Sequence, residues 1–292
     1  MGMTAGWMRP AAALLLWCVL SAAGAADSVV HEREAMFGTI VVTQDEDGLR
    51  TLRFGRYGPR QSVVKPGDPD HLVLQYTHTA FVGLALADAP KRMLVIGVGG
   101  GTLPMFLHRH YPQAVIDAVD IDPQVIDVAR TFLGFREDAL LRAHAADGRA
   151  FIEAVRQPYD VIFLDAFSSS ELPAHLTTRE FLVAVRRALA PSGVVVGNVW
   201  DRFANRLYDS MIRTYQDVFG DLYVLGVPAA GNKILLALPR TLNLRAEELE
   251  ARARGISSEK RFRFDLGAAA RHDFVQVREL HAAGQVLRDA KP

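Results

Sequence analysis

Beyond Pro90 the chain alternates short, unbroken apolar runs with stretches in which apolar residues recur at helical spacing. The runs are Met93-Leu94-Val95-Ile96, Ala114-Val115-Ile116-Asp117-Ala118-Val119, Val161-Ile162-Phe163-Leu164 and Val194-Val195-Val196. Continuous Val, Ile and Leu of this kind mark strands covered on both faces. Helices are predicted between them near 103–110, 124–132, 149–156 and 179–189, and right-handed crossovers then produce an α/β fold with a doubly wound, mostly parallel sheet. Two further predicted strands, 222–226 and 233–238, flank Pro228 and a Gly231-Asn232 turn and form an antiparallel pair at the sheet edge.

Before Pro90 the pattern differs. Gly38–Val42, the polar turn Asp45-Glu46-Asp47-Gly48, Leu49–Phe54 and Gln61–Val64 read as a short antiparallel meander. Pro69 opens a predicted helix through His71, Leu74, Tyr76, His78, Phe81 and Leu84 to Ala87. The expected organisation is a β-meander plus helix at 27–89, the doubly wound domain at 90–240, and a helical C-terminal tail at 241–292. That tail has a charged helix at 245–254 and no strand signal after Arg271.

At the N-terminus Arg9 precedes an apolar run, Ala11 to Leu20, and the small residues Ser21 to Ala26. This is the order and size of a secretory signal, so residues 1–26 are expected to be removed and the protein exported, to a periplasm. The single cysteine, Cys18, lies inside that segment behind the bulky Trp17, which disfavours a lipid anchor and leaves the mature chain without a thiol. Lys+Arg and Asp+Glu both number 33, so bulk charge points to neither nucleic acid nor an anionic membrane as partner. His108-Arg109-His110 lacks metal-ligand spacing and reads as surface; no metal is expected.

The chemistry-bearing residues follow the strands. Leu94-Val95-Ile96 runs straight into Gly97-Val98-Gly99-Gly100-Gly101, and Thr102 opens a helix. Glycines there allow close approach of a ligand to backbone while the helix N-terminus offers free N–H groups. Asp120 ends the next strand, roughly twenty residues on, where a carboxylate can accept both ribose hydroxyl protons. Asp147, before Gly148, can accept from an adenine amino group, serve as a helix N-cap, or do both. Asp165 ends the buried run Val161–Leu164, where open α/β sheets hold their ligands.

Together, Gly97–Gly101, Val119-Asp120-Ile121-Asp122, Asp147-Gly148 and Tyr159–Asp165 resemble the polyamine aminopropyltransferase family, the spermidine and spermine synthases, across roughly residues 38–240. The resemblance implies a Rossmann-like sheet of the S-adenosylmethionine-methyltransferase type with a small N-terminal β-domain. It also implies aminopropyl transfer from decarboxylated S-adenosylmethionine to a polyamine such as putrescine, with no tightly bound cofactor and a homodimeric assembly. Under it Gly97, Gly99, Gly101, Asp120, Asp147 and Gly148 bind the nucleoside, and Gln61 and His78 face the substrate. Asp165 and Tyr76 orient the attacking amine and take its proton. The chain departs from the family pattern at three acids: Gly100 stands at the aspartate that holds the donor amine, Ser168 at a second aspartate, and His78 at the glutamate of a Tyr-His-Glu motif that here reads Tyr76-Thr77-His78. Ser168–Pro173 with His175 reads as a loop over the site, with Glu171 and His175 as candidate contributors.

Three other readings use the same residues. A methyltransferase would take intact S-adenosylmethionine. A binding protein without turnover would keep the fold and hold polyamine or nucleoside. A nicotinamide dehydrogenase fits less well, because Thr102 stands at the third fingerprint glycine.

Overall fold

The computed structural model describes residue 2 and residues 27–167 and 172–290. The predicted secretory segment, apart from Gly2, lies outside the described residues, as do Ser168 and Glu171.

Four antiparallel strands open the fold in the order β1 (Ser28–Ala35), β2 (Gly38–Gln44), β3 (Arg50–Phe54) and β4 (Arg60–Val64). The meander therefore has one strand more than its hydrophobic pattern suggests. β1 is an edge strand whose side chains are largely exposed, so its sequence, SVVHEREA, carries no buried face to read. The predicted helix from Pro69 starts later than expected, as α1 (Gln75–Ala80), and passes directly into a 3₁₀ segment, Phe81–Leu86. Asp68 and Asp70 are taken up in turn hydrogen bonds before it, the Asp68 N–H donating to the Lys65 carbonyl, the His71 N–H to the Asp68 carbonyl and the Leu72 N–H to the Asp70 carbonyl.

The main body alternates as expected: β5 (Arg92–Ile96), α2 (Thr102–His110), β6 (Val115–Asp120), α3 (Pro123–Phe132), β7 (Leu141–Ala145), α4 (Gly148–Glu153), β8 (Tyr159–Leu164), α5 (Arg179–Ala188), β9 (Leu189–Trp200), α6 (Tyr208–Val218), β10 (Asp221–Gly226) and β11 (Asn232–Leu238). β7 and α6 are additions to the sequence reading. The remainder supplies α7 (Ala246–Glu259), α8 (Leu266–Arg271) and β12 (Val275–Gln276). The tail is thus not purely helical: β12 adds to the sheet by pairing with β10, Val275 opposite Val224 and Gln276 opposite Tyr223.

The sheet runs β12-β10-β11-β9-β8-β5-β6-β7. β9, β8, β5, β6 and β7 are parallel neighbours, while β11, β10 and β12 join antiparallel. Strand order reverses beside β5, which lies between β6 and β8, so the crevice above their carboxyl ends is the natural ligand position.

Burial follows strand parity. Met93, Val95, Ile116 and Phe163 face a core shared with Phe81, Phe106, Leu249 and Leu266, while Leu94, Ile96, Val119 and Ile162 face one shared with Phe181, Val185, Ile212 and Tyr215. A third cluster packs Ile40, Val42, Leu52 and Val64 of the small sheet onto Val125, Val128 and Leu133. Buried Asp122 fastens the same junction, accepting from the Gln124 N–H at the start of α3 and from the Met36 N–H, each at 2.9 Å. The small sheet is thereby held against the glycine-rich crevice. His110, expected at the surface, is instead tucked against Phe106 and Phe262 with its Nε2 2.6 Å from half-buried Asp70.

Candidate active site

β5 delivers the chain into Gly97, whose φ of +102° suits glycine, and a Cβ there would lie 2.3 Å from the Asp165 carbonyl oxygen. The turn thus packs directly on the end of β8, and the Asp165 N–H donates to the Ile96 carbonyl at 2.8 Å. Asp120 closes the turn from the other side. Its Oδ2 accepts from the Val98 N–H and its Oδ1 from the Asp122 N–H, both at 3.0 Å. Burial raises the Asp120 pKa above the ordinary carboxylate value, opposed by those backbone donors. A carboxylate has about four acceptor positions, so Asp120 retains capacity toward the cavity it lines.

Gly100 answers the question its sequence position raised. Its N–H donates to Ser62 Oγ at 2.8 Å, and a Cβ on it would meet the Ser62 Cβ at 2.8 Å. An acid at this position has no room unless β4 shifts. Gly101 likewise turns from the cavity, its missing Cβ site occupied by the Phe135 ring. Gly97, Gly99 and Gly148 line the cavity and Gly101 does not, so the nucleoside contact expected of Gly101 is replaced by packing.

The cavity occupies about 780 Å³ between the glycine turn, β4, α1 and the β10–β11 loop. Asp165 lies at its floor with Tyr76 and a residue the sequence reading missed, Asn198. The Tyr76 hydroxyl donates to Asp165 Oδ2 at 2.9 Å and the Asn198 amide to Oδ1 at 2.7 Å. Asn232 donates to Asn198 Oδ1 at 2.9 Å, which fixes the orientation of that amide. Burial pushes Asp165 up to about 6, against the lowering effect of the Asn198 and Tyr76 hydrogen bonds. Tyr76 is raised well above the usual phenol value, by burial first and then by the Asp165 charge, so it remains a donor. Asn198 was detectable as a lone amide within the apolar run of β9, since a buried polar side chain requires a partner. Asn232 begins β11 and is buried rather than lying in a turn, because the loop ends one residue earlier, at Gly231.

Asp147 serves as the helix N-cap expected of it and also makes a contact the sequence did not suggest. Its Oδ1 caps α4 by accepting from the Ala150 N–H at 2.9 Å, while its Oδ2 pairs with His175 Nε2 at 2.8 Å at the cavity wall. Gln61 also lines the cavity; it is the residue that the β3–β4 register skips, and such a bulge re-aims a side chain. His78 is not brought to the site. One residue pair further along α1 from Tyr76, it stacks on Phe264 with ring centroids 4.1 Å apart, and burial lowers its pKa. The substrate contact expected of it is absent because α1 presents that face to the C-terminal helices.

A base held between two donors, opposite a nucleoside-sized recess, can position a nucleophile and receive its proton. If Asn198 stabilises the ionised form of Asp165, Asn198→Leu should move the acid limb of kcat/KM upward by about one pH unit, because hydrogen bonds to charged groups contribute roughly 1.5–3 kcal/mol. A pH–rate profile checks this; an unmoved limb would show that Asn198 does not tune the base.

Comparison with known proteins is consistent with this geometry. Residues 75–236 match the model of the spermine/spermidine synthase domain. The chain is 35% identical to a polyamine aminopropyltransferase of Vibrio vulnificus over 77% of each protein. Among solved structures, human methyltransferase-like protein 13 in complex with SAH is 32% identical with a TM-score of 0.60, over 65% of this chain and 93% of that one. A probable spermidine synthase from Corynebacterium glutamicum shares the fold with a TM-score of 0.72 at 22% identity, covering 90% of this chain and 97% of that one.

Proposed function

Because this chain belongs to the spermine/spermidine synthase family, we propose that it transfers an aminopropyl group from decarboxylated S-adenosylmethionine to a polyamine acceptor such as putrescine. The observation that carries this reading is the Tyr76–Asp165–Asn198 cluster facing the same cavity as Asp120 and the Gly97–Gly99 turn.

In the reaction the neutral amine of the acceptor attacks the methylene beside the sulfonium. A C–N bond forms, the C–S bond breaks with its electron pair passing to sulfur, and methylthioadenosine leaves. The new nitrogen then carries an excess proton. Asp165 is the acceptor for that proton, and its raised pKa narrows the gap to an amine while leaving the group ionised at neutral pH. Tyr76 and Asn198 aim the carboxylate, and Asp120 anchors the ribose so that sulfur and amine meet in line.

Intact S-adenosylmethionine, and methyl transfer, form the second reading. Two observations favour it: the absence of space for an acid at Gly100 and the likeness to a human methyltransferase-like protein. Calorimetric titration with both donors separates the two. Tighter binding of the decarboxylated donor is expected, and a preference for the intact one would transfer the assignment to a methyltransferase.

The reading includes export, supported by Arg9, the Ala11–Leu20 run and the small residues before Asp27. Sequencing of the mature protein should begin near Asp27; a start at Met1 would remove that part of the reading.

A further inference from the structure

The C-terminal segment beyond α8 lies outside the matched synthase domain, and it runs as a strap across the molecule. After β12 its backbone is caught at successive points along α6. Gln216 donates to the Glu279 carbonyl and accepts from the His281 N–H, and His281 Nε2 lies 2.8 Å from Asp209. The Leu287 N–H then donates to Thr214 Oγ1 at 2.9 Å, and the Leu287 carbonyl accepts the Arg179 N–H at 2.8 Å. The Leu287 side chain packs against the core on that face of the sheet.

The strap ends at a charged junction beside the cavity. Asp289 receives both terminal nitrogens of Arg149, at 2.8 and 2.6 Å, and its N–H donates to Glu180 at 2.9 Å. Arg149 is in the first turn of α4, two residues after Asp147, and also donates to the His175 carbonyl at 3.4 Å. His175 in turn pairs with Asp147. A single guanidinium therefore joins the strap to both cavity walls flanking Asp147.

We propose that Asp289 is a positioning residue of the nucleoside site, acting through Arg149 to fix the start of α4 and the 173–178 segment and so setting affinity for the adenosyl group. The proposal rests on the nucleoside reading of Asp120 and Asp147. A bidentate guanidinium–carboxylate pair fixes direction as well as distance, which a single surface ion pair does not. Arg149 holds the Asp289 carboxyl down at about 2, so the pair remains ionised across the working pH range.

The test is titration of methylthioadenosine into the full-length wild type, Asp289→Ala, Asp289→Asn and Asp120→Ala, with hydrogen exchange followed at 147–150 and 173–178. Asp289→Ala and Asp289→Asn should weaken binding about three- to tenfold and speed exchange in both segments, with the melting temperature nearly unchanged. The exchanged pair Arg149→Asp with Asp289→Arg should recover part of the loss. Unchanged binding in both Asp289 variants, with binding weakened in Asp120→Ala, would overturn the strap proposal alone. If wild type and Asp120→Ala bind alike, or neither binds, the nucleoside reading fails and the strap proposal with it.

Discussion

Asp165→Asn should lower kcat by about a thousandfold while leaving the fold intact, in line with the ~10²–10⁴ contributed by a positioned base. Asn has nearly the same shape and still accepts from the Asn198 amide, while its NH2 group faces the Tyr76 hydroxyl, which then accepts rather than donates. In the wild type, with Asp165 at about 6, kcat/KM should fall tenfold per pH unit below that value as the base becomes protonated. The same group sets a stability effect of opposite sense. Its folded pKa lies above the unfolded value of 3.8, so the folded state binds the proton more tightly. The associated stability is complete below pH 3.8 and is lost as pH rises through about 6. A shift of about two units corresponds to an upper bound of about 3 kcal/mol. Asp165→Asn should thus be more stable than wild type by about 1–3 kcal/mol at pH 7.5, and no more stable at pH 3.5, in urea unfolding. Retained turnover, or a variant less stable at pH 7.5, would remove Asp165 from the role of strained base.

Asp120→Ala should weaken methylthioadenosine binding about a hundredfold. Two charge-assisted hydrogen bonds to ribose hydroxyls, at roughly 1.5–3 kcal/mol each, are more than enough for that loss. Part of the effect will come from the glycine turn, since Asp120 also accepts from the Val98 N–H at 3.0 Å. Asp120→Asn keeps an acceptor for that N–H and should fall between the two. Calorimetry measures all three proteins directly; equal affinities would mean that the ribose lies elsewhere.

The legible parts of the fold were those where sequence and burial coincide. β5 and β8 are covered on both faces, so their residues are almost all apolar, and Asp120 and Asp165 are marked by ending such runs. Edge strands carry no such mark. β7 reads Leu-Arg-Ala-His-Ala because it has a neighbour on one side only, and β12 is two residues whose place is set by β10. α6 did carry a signal: Met211, Ile212, Tyr215 and Val218 repeat at helical spacing on its buried side.

At the site, the acids were readable and the amides less so. Asp165 follows from its place on a strand, whereas Asn232 resembles a turn residue until β11 is seen to begin there, buried and facing Asn198. His78 was misplaced because helical spacing alone does not reveal which side of α1 the C-terminal helices cover; Phe264, nearly two hundred residues away, occupies that side. The strap was illegible for a related reason. Its contacts are backbone groups and single polar side chains on α6, which leave no periodic pattern.

The most direct test of aminopropyl transfer is to incubate the purified protein with decarboxylated S-adenosylmethionine and putrescine and quantify both products by mass spectrometry. Equimolar methylthioadenosine and spermidine, both abolished in Asp165→Asn, are the expected result. Absence of spermidine from the wild type, while intact S-adenosylmethionine is turned over to S-adenosylhomocysteine, would contradict the account.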